Sequence, residues 1–285
     1  MAREGQRALY SPLAMKRRGF LAAVGLGGAT AVVGVAASRV EAVAKSDTVD
    51  NAGYARTQRG QTRVVWSVAT DSSLAALTFD DGPNPRYTPR VLETLAAHGI
   101  HATFFLIGVN AQRHPDLAKA TVAAGHEIGN HTLNHRTLME HSSTVISDEV
   151  SGGSDAIHNI TGVTPRWFRA PRGRLTGTAL AEAAQLGQDV AMWSVMRGGP
   201  EIADDDDAGV ARQLGSSLHP GAIIDLHDGL GATEDGRASL RTRREAEMRA
   251  LDSFITEATS RGYRFVTLTE LVNSASASPV DAERA

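Results

Sequence analysis

The chain contains no cysteine, which excludes a disulfide framework and any thiolate metal site, so a transition metal could rest only on histidine, aspartate or glutamate. Aromatic residues make up only 5% of it, and no internal repeat is visible. A surplus of positive charge is also missing: 29 Lys and Arg stand against 32 Asp and Glu, a formal net charge of −3. Nucleic acid is therefore excluded as a partner, since binding it needs a basic footprint. What is present is 42% apolar content over 285 residues, enough for one core of ~200 to 250 residues with appendages. Ten histidines remain as the candidate metal donors.

The amino terminus reads as an address. Lys16, Arg17 and Arg18 precede Gly19-Phe20-Leu21 and an uncharged, small-residue-rich run to Ala37, and Ala42-Val43-Ala44 then offers an A-x-A cleavage site. The Arg17-Arg18-Gly19-Phe20-Leu21 string resembles a twin-arginine signal, whose route carries folded proteins and so exports a protein with its metal already bound. The alternatives are an ordinary secretory signal or an uncleaved anchor, since ~18 apolar residues just span a bilayer. In each case the working domain is expected outside the cytoplasm, secreted or in the cell envelope, with the membrane touched only through this segment if it is not cleaved. Loss of residues 1–44, which hold six basic and two acidic residues, leaves 23 against 30, a net charge of −7.

Residues 45–62 are polar and read as a linker, with the lead-in to the domain ending at 72, and 273–285 read as a frayed tail. Between them, over 73–272, apolar or β-branched runs at 75–79, 102–107, 126–130, 166–170, 189–195, 222–226 and 264–268 predict strands. Helix-like stretches fall at 88–97, 115–124, 145–159, 177–186, 208–217 and 241–261, with Pro115 suited to a first turn. This alternation implies an α/β domain with a parallel sheet, open or closed into a barrel, and functional residues at strand carboxyl ends. The acidic run Asp204 to Asp207 reads as a solvated loop capping the helix at 208–217.

Thr78-Phe79-Asp80-Asp81-Gly82-Pro83 presents two adjacent carboxylates where an apolar strand meets a Gly-Pro turn. Beside one metal such a pair divides labour, one carboxylate ligating and the other taking a proton from water. The alternative is a plain Asx-type turn. His131-Thr132-Leu133-Asn134-His135 spaces two imidazoles by four residues, which on a helical turn puts both on one face and lets them chelate one ion. Two His and one Asp leave coordination positions open, as catalytic rather than structural sites do.

With these elements the chain resembles the NodB-homology polysaccharide deacetylases, carbohydrate esterase family 4. That family includes chitin deacetylases, peptidoglycan N-acetylglucosamine deacetylases and acetylxylan esterases. The hexapeptide and the His-Thr-x-x-His element match its first two motifs. Phe168-Arg169-Ala170-Pro171-Arg172-Gly173 resembles the third, Leu226-His227-Asp228-Gly229 the fifth, and 262–268 the closing strand. The resemblance covers 70–272. It implies a distorted (β/α) barrel of about seven parallel strands with the site at its top, and a hydrolase that removes N-acetyl groups from an amino-sugar polymer, an acetylated polysaccharide such as chitin oligomers or peptidoglycan.

Roles follow from the resemblance residue by residue. Asp81, His131 and His135 would hold one divalent ion, usually zinc, with Co²⁺ or another ion tolerated. Asp80 would be the general base, oriented by Arg169. The backbone N–H of Arg172 would serve the oxyanion. His227 would protonate the departing nitrogen, while Trp193 and Leu226 would wall the acetyl methyl pocket.

Two motifs depart from the family pattern. Ala170 and Arg172 alter the third, removing an aromatic wall and adding a cation. In the fourth, Trp193-Ser194-Val195 begins correctly but Met196, Gly199 and Pro200 stand where Asp, Asp and Trp are expected. Without that carboxylate the pKa of His227 is expected to lie lower, unless Asp228 or one of Asp204 to Asp207 folds back to replace it. An O-acetyl esterase using the same machinery, or a non-catalytic glycan-binding module, are the competing readings. The low aromatic content gives no sign of a separate carbohydrate-binding module.

Overall fold

A computed structural model describes residues 61–198, 203, 205–232 and 238–276. The expected export segment at 1–44, residues 45–60 of the linker, the tail beyond 276, and Gly199, Pro200 and Asp204 lie outside the described residues.

Among the described residues, nine strands form one sheet: β1 (Val64–Val65), β2 (Leu74–Asp80), β3 (Thr103–Leu106), β4 (Glu127–Asn130), β5 (Trp167–Phe168), β6 (Asp189–Ala191), β7 (Val195–Met196), β8 (Ala222–His227) and β9 (Arg264–Val266). Helices α1 (Thr88–Ala97), α2 (Gly108–Arg113), α3 (Pro115–Ala123), α4 (Ser143–Thr161), α5 (Gly177–Gln185), α6 (Asp207–Ser217), α7 (Ala238–Ser260) and α8 (Leu268–Ser276) connect or flank them. The strand path is β1-β6-β5-β4-β3-β2-β8-β7, with β9 also on β2, and every ladder is parallel. Central β2 is buried at all seven positions, as a parallel strand covered on both faces must be. Its edge away from β8 is shared, residues 74–76 pairing with β9 and 78–80 with β3.

The apolar run at 189–195, expected to be one strand, is two. β6 and β7 stand at far positions on the path, yet only Met192, Trp193 and Ser194 join them. Four Cα steps reach at most about 14 Å, so the sheet must curl until its two edges nearly meet. Ser194 makes the corner, its N–H donating to the Ile223 carbonyl at 3.0 Å. The chain before β2 helps to close the ring: β1 pairs β6, and the Val68 N–H donates to the Gly221 carbonyl at 2.9 Å. The result is the expected distorted α/β barrel, with two more strands than the sequence suggested. One of them lies in the stretch read as lead-in.

Side-chain alternation along β2 sorts the core. Ala75, Leu77 and Phe79 face an outer layer with Val91 and Leu95 of α1 and Leu251 and Phe254 of α7. Leu74 and Ala76 face inward, packing with Ile223 of β8 and with Leu268, Leu271 and Val272 of α8. That helix, over residues read as strand end and tail, plugs the amino end of the barrel. Leu268 and Leu271 are fully buried, worth about 1.5–3 kcal/mol each. Continuing the same inward series, Thr78 and Asp80 come next toward the carboxyl end. The inward polar series of β2 thus ends at the top of the barrel, where connecting loops are free to carry chemistry. Among the described residues, no helix is long and apolar enough to cross a membrane.

Candidate active site

In-register pairing of β2 with β8 sets Asp80 opposite His227, so the first and fifth motifs arrive at one level. Two glycines let them press together. A Cβ on Gly229 would lie 2.1 Å from the Asp81 carbonyl oxygen, and one on Gly82 would lie 2.3 Å from the Asp228 carboxylate. Asp81 itself takes φ 76°, a left-handed conformation that non-glycine residues seldom adopt. It is secured by Asn110, whose side-chain amide donates to the Asp81 carbonyl at 2.9 Å.

His131 and His135 do not share a helical turn as their spacing suggested. Residues 131–137 form a loop beyond β4, with Thr132 at φ 68° and His135 at φ 57°. Local side-chain bonds outcompete the helix here. Asn130 Oδ1 accepts from the Thr132 N–H at 3.0 Å, and the Thr132 hydroxyl accepts from the His135 N–H at 3.0 Å. Tertiary bonds complete the clamp, with the Gly108 and Val109 N–H groups donating to the carbonyls of Thr132 and Leu133. The imidazoles still converge, their ring centroids 5.1 Å apart.

Arg169 ties the base candidate to the metal candidates. Its side chain is fully buried, and its guanidinium donates to Asp80 Oδ1 at 2.8 Å, Thr78 Oγ1 at 2.8 Å, Asp225 Oδ1 at 3.3 Å, and the carbonyls of Ala191 and Met192. It lies 4.1 Å from the centroid of the Phe105 ring. Its own backbone carbonyl accepts from His131 Nδ1 at 2.8 Å. That bond fixes the His131 tautomer and leaves the Nε2 lone pair free to ligate.

Donor atoms of Asp81, His131 and His135 lie within 4.8 Å of one another, a candidate metal centre. Asp81 Oδ1 sits 3.1 Å from His135 Nε2 and 3.8 Å from His131 Nε2, and it is a buried oxygen with no hydrogen bond of its own. An unpaired buried oxygen aimed at two imidazole nitrogens fits a cation. Charge states suit ligation. Burial alone would raise Asp81, but His135, His227, His131 and Arg244 outweigh it and hold its pKa at about 2. Burial takes His135 down to about 4, against the pull of Asp81, so that ring is neutral near pH 7.

His227 stands across the cleft. Its pKa is raised to about 9: burial and Arg244 work downward, and Asp225 and Glu247 overcome them. Among the described residues, neither Asp228 nor Asp206 or Asp207 is the cause. Asp228 turns away to accept from Thr88 Oγ1 at 2.5 Å, and burial pushes its own pKa up to about 7. Asp206 caps α6 as expected, accepting from the Gly209 N–H at 2.8 Å, whereas Asp207 pairs with Arg249 of α7 at 3.1 Å. The effective carboxylates are Asp225, two residues before His227 and thus on the same face of β8, and Glu247 of α7. Sequence reasoning missed both, together with Arg244, although strand alternation from His227 points to Asp225.

With the geometry in place, its relatives can be compared. Residues 67–191 match the model of the family described as polysaccharide deacetylase. A peptidoglycan-N-acetylglucosamine deacetylase of Bacillus cereus is 32% identical over 209 residues, 73% of this chain and 92% of the relative. A chitooligosaccharide deacetylase of a Bradyrhizobium species is 39% identical over 199 residues, 68% of this chain and 89% of the relative. The chain belongs to the polysaccharide deacetylase family. A solved peptidoglycan N-acetylglucosamine deacetylase superposes with a TM-score of 0.65 at 28% identity, covering 74% of this chain and 92% of that one, so the NodB-type barrel is shared as well.

The cleft of this polysaccharide deacetylase holds about 610 Å³ and is lined by Asp80, Asp81, both metal-candidate histidines, His227 and Arg244, with Trp193, Met196 and Arg172 toward its walls. Trp193 falls where expected, its Nε1 donating to Met196 Sδ at 2.9 Å. Arg172 is exposed at φ 59° in a tight turn, Pro171–Gly173, with Nη1 donating to Thr137 Oγ1 at 2.8 Å. Leu226 does not reach the cleft. It packs in the outer layer with Leu77 and Phe79, because neighbours on a strand face opposite ways. Its expected place on the inner face belongs to Asp225.

Proposed function

We propose that this polysaccharide deacetylase is a metal-dependent hydrolase that removes N-acetyl groups from an amino-sugar polymer, peptidoglycan or chitin oligomers. The observation that carries the reading is the buried link from Asp80 through the Arg169 side chain and backbone to His131. Base candidate and ligand candidate are held by one residue, opposite a histidine whose pKa is raised. An ion held by Asp81, His131 and His135, zinc or else cobalt, would supply Lewis acidity to a water and to the acetyl carbonyl. Asp80, aimed by Arg169, accepts the proton of the attacking water. The Arg172 N–H assists the oxyanion, and Trp193 walls the acetyl group. Protonated His227 delivers its proton to the departing amine nitrogen. For location, the Lys16 to Ala44 segment supports export by the twin-arginine route.

The test is acetate release by the purified domain, loaded with zinc or cobalt, from chitin oligomers, peptidoglycan and acetylxylan. Release from the amide substrates supports the reading. Release from acetylxylan alone would make the chain an O-acetyl esterase, and none from any polymer would leave a binding module.

A further inference from the structure

Among the described residues, the charged groups around His227 begin with Asp80, its register partner on β2, which is held by Arg169 at 2.8 Å. Asp225 on β8 is committed to Arg169 at 3.3 Å. Asp81 turns its Oδ1 to the two other histidines. From α7 come Arg244 and Glu247, three residues apart and so on one helix face. Glu247 Oε2 stands 3.5 Å from His227 Nδ1, at the outer limit of a hydrogen bond, and 2.6 Å from Arg244 Nη1. Arg244 is itself fixed, its Nε donating to the Gly229 carbonyl at 2.7 Å. Both members of the pair are buried, and His227 Nδ1 is a buried nitrogen that makes no hydrogen bond, with Glu247 Oε2 the carboxylate oxygen beside it. Of the two positions where the family pattern expects an aspartate, Gly199 lies outside the described residues, and Met196 of β7 offers only a thioether already engaged by Trp193.

We infer that Glu247 is a positioning residue for His227, taking from helix α7 the part that a fourth-motif carboxylate would play. The Glu247 carboxylate accepts a hydrogen bond from Nδ1–H, which orients the ring and leaves Nε2 to carry the transferable proton toward the cleft. Arg244 makes the arrangement tenable. A lone buried carboxylate is costly, whereas one paired with a hydrogen-bonded guanidinium is not left uncompensated. The inference rests on the proposed role of His227 as the acid, and its test separates the two.

Glu247→Gln, His227→Ala and the double variant would be assayed as zinc-loaded proteins on chitin oligomers and on 4-nitrophenyl acetate. An amine needs a proton to leave, and a nitrophenolate does not. Glu247→Gln is expected to lower kcat on the amide by roughly 10- to 100-fold, with KM and bound zinc little changed and the ester-to-amide ratio raised about as much. In the His227→Ala background the same change should cost less than about twofold, because residues acting as a unit are not additive. Equal loss on amide and ester, or losses that multiply in the double variant, would overturn the positioning role and leave Glu247 a structural partner of Arg244. If His227→Ala itself spares amide turnover, it is the acid assignment that falls, and the inference with it. Should Gln at this buried position prevent folding, Glu247→Asp keeps the charge but withdraws it from Nδ1. The same amide-selective loss must then appear in smaller measure, and its absence refutes the role.

Discussion

Replacing Arg169 by Met separates the side chain from the backbone of a residue that serves two ends of the site. Met roughly fills the volume but removes the cation from Asp80 and Asp225, which are 4% exposed each. Breaking a buried ion pair typically costs about 3–5 kcal/mol, a large part of the ~5–15 kcal/mol by which a domain is stable. Burial and Asp80 already push the Asp225 carboxyl up, and His227 and then Arg169, which lies 3.3 Å away, restrain it. Without Arg169 its pKa rises further. A carboxyl raised in the folded state binds a proton that the unfolded chain has released, so stability falls as pH rises through that window. The variant's deficit should therefore be largest near pH 8 and shrink toward pH 5. The backbone carbonyl that holds His131 Nδ1 survives the substitution, so metal content should be kept while turnover falls on the order of 10²- to 10⁴-fold, as for loss of a base. Urea unfolding of both metal-free proteins at several pH values gives the first quantity, and elemental analysis with acetate release gives the others. A pH-independent deficit, or one below about 1 kcal/mol, would refute the electrostatic account. Metal lost in step with activity would refute the division between side chain and backbone.

Other outcomes follow from the same geometry. Asp80→Asn should keep the metal and lose turnover on the order of 10² to 10⁴, whereas Asp81→Asn should weaken metal binding itself. Zinc titrations with parallel rate assays tell them apart. Because His227 must be protonated to donate, and its pKa is raised to about 9, the rate should decline as pH rises through about 9 rather than near neutrality. A pH–rate profile with an alkaline limb at pH 7 would contradict this. Gly229→Ala places a Cβ against the Asp81 carbonyl and should lower metal affinity although no ligand is changed, as calorimetry would detect.

Much of this was legible in the sequence, for physical reasons that also mark where legibility stopped. Asp80, Asp81, His131, His135, Arg169 and His227 come from short motifs at strand ends, and a strand end fixes where its residues go. Leu226 was misplaced because the fifth motif was read as a string, without the two-residue alternation that puts Asp225 on the inner face with His227. The 189–195 run hid a change of sheet edge, since β6 and β7 are both apolar and the corner at Trp193 and Ser194 carries no Gly or Pro. The His131 loop defeats the helical reading because its bonds come from Asn130, Thr132 and residues distant in sequence. Glu247 and Arg244 sit in Arg-Thr-Arg-Arg-Glu-Ala-Glu, which reads as a solvated helix face. Only the packing of α7 over the barrel top shows that one side of it is buried against His227.

The most direct measurement is a zinc titration of chelator-stripped protein, following acetate released from chitin oligomers against bound metal. The account requires no release without metal, a rise that saturates at one equivalent per chain, and no rise in a His131→Ala variant. Acetate release that persists in the stripped protein, or a rise that the His131→Ala variant reproduces, would contradict it.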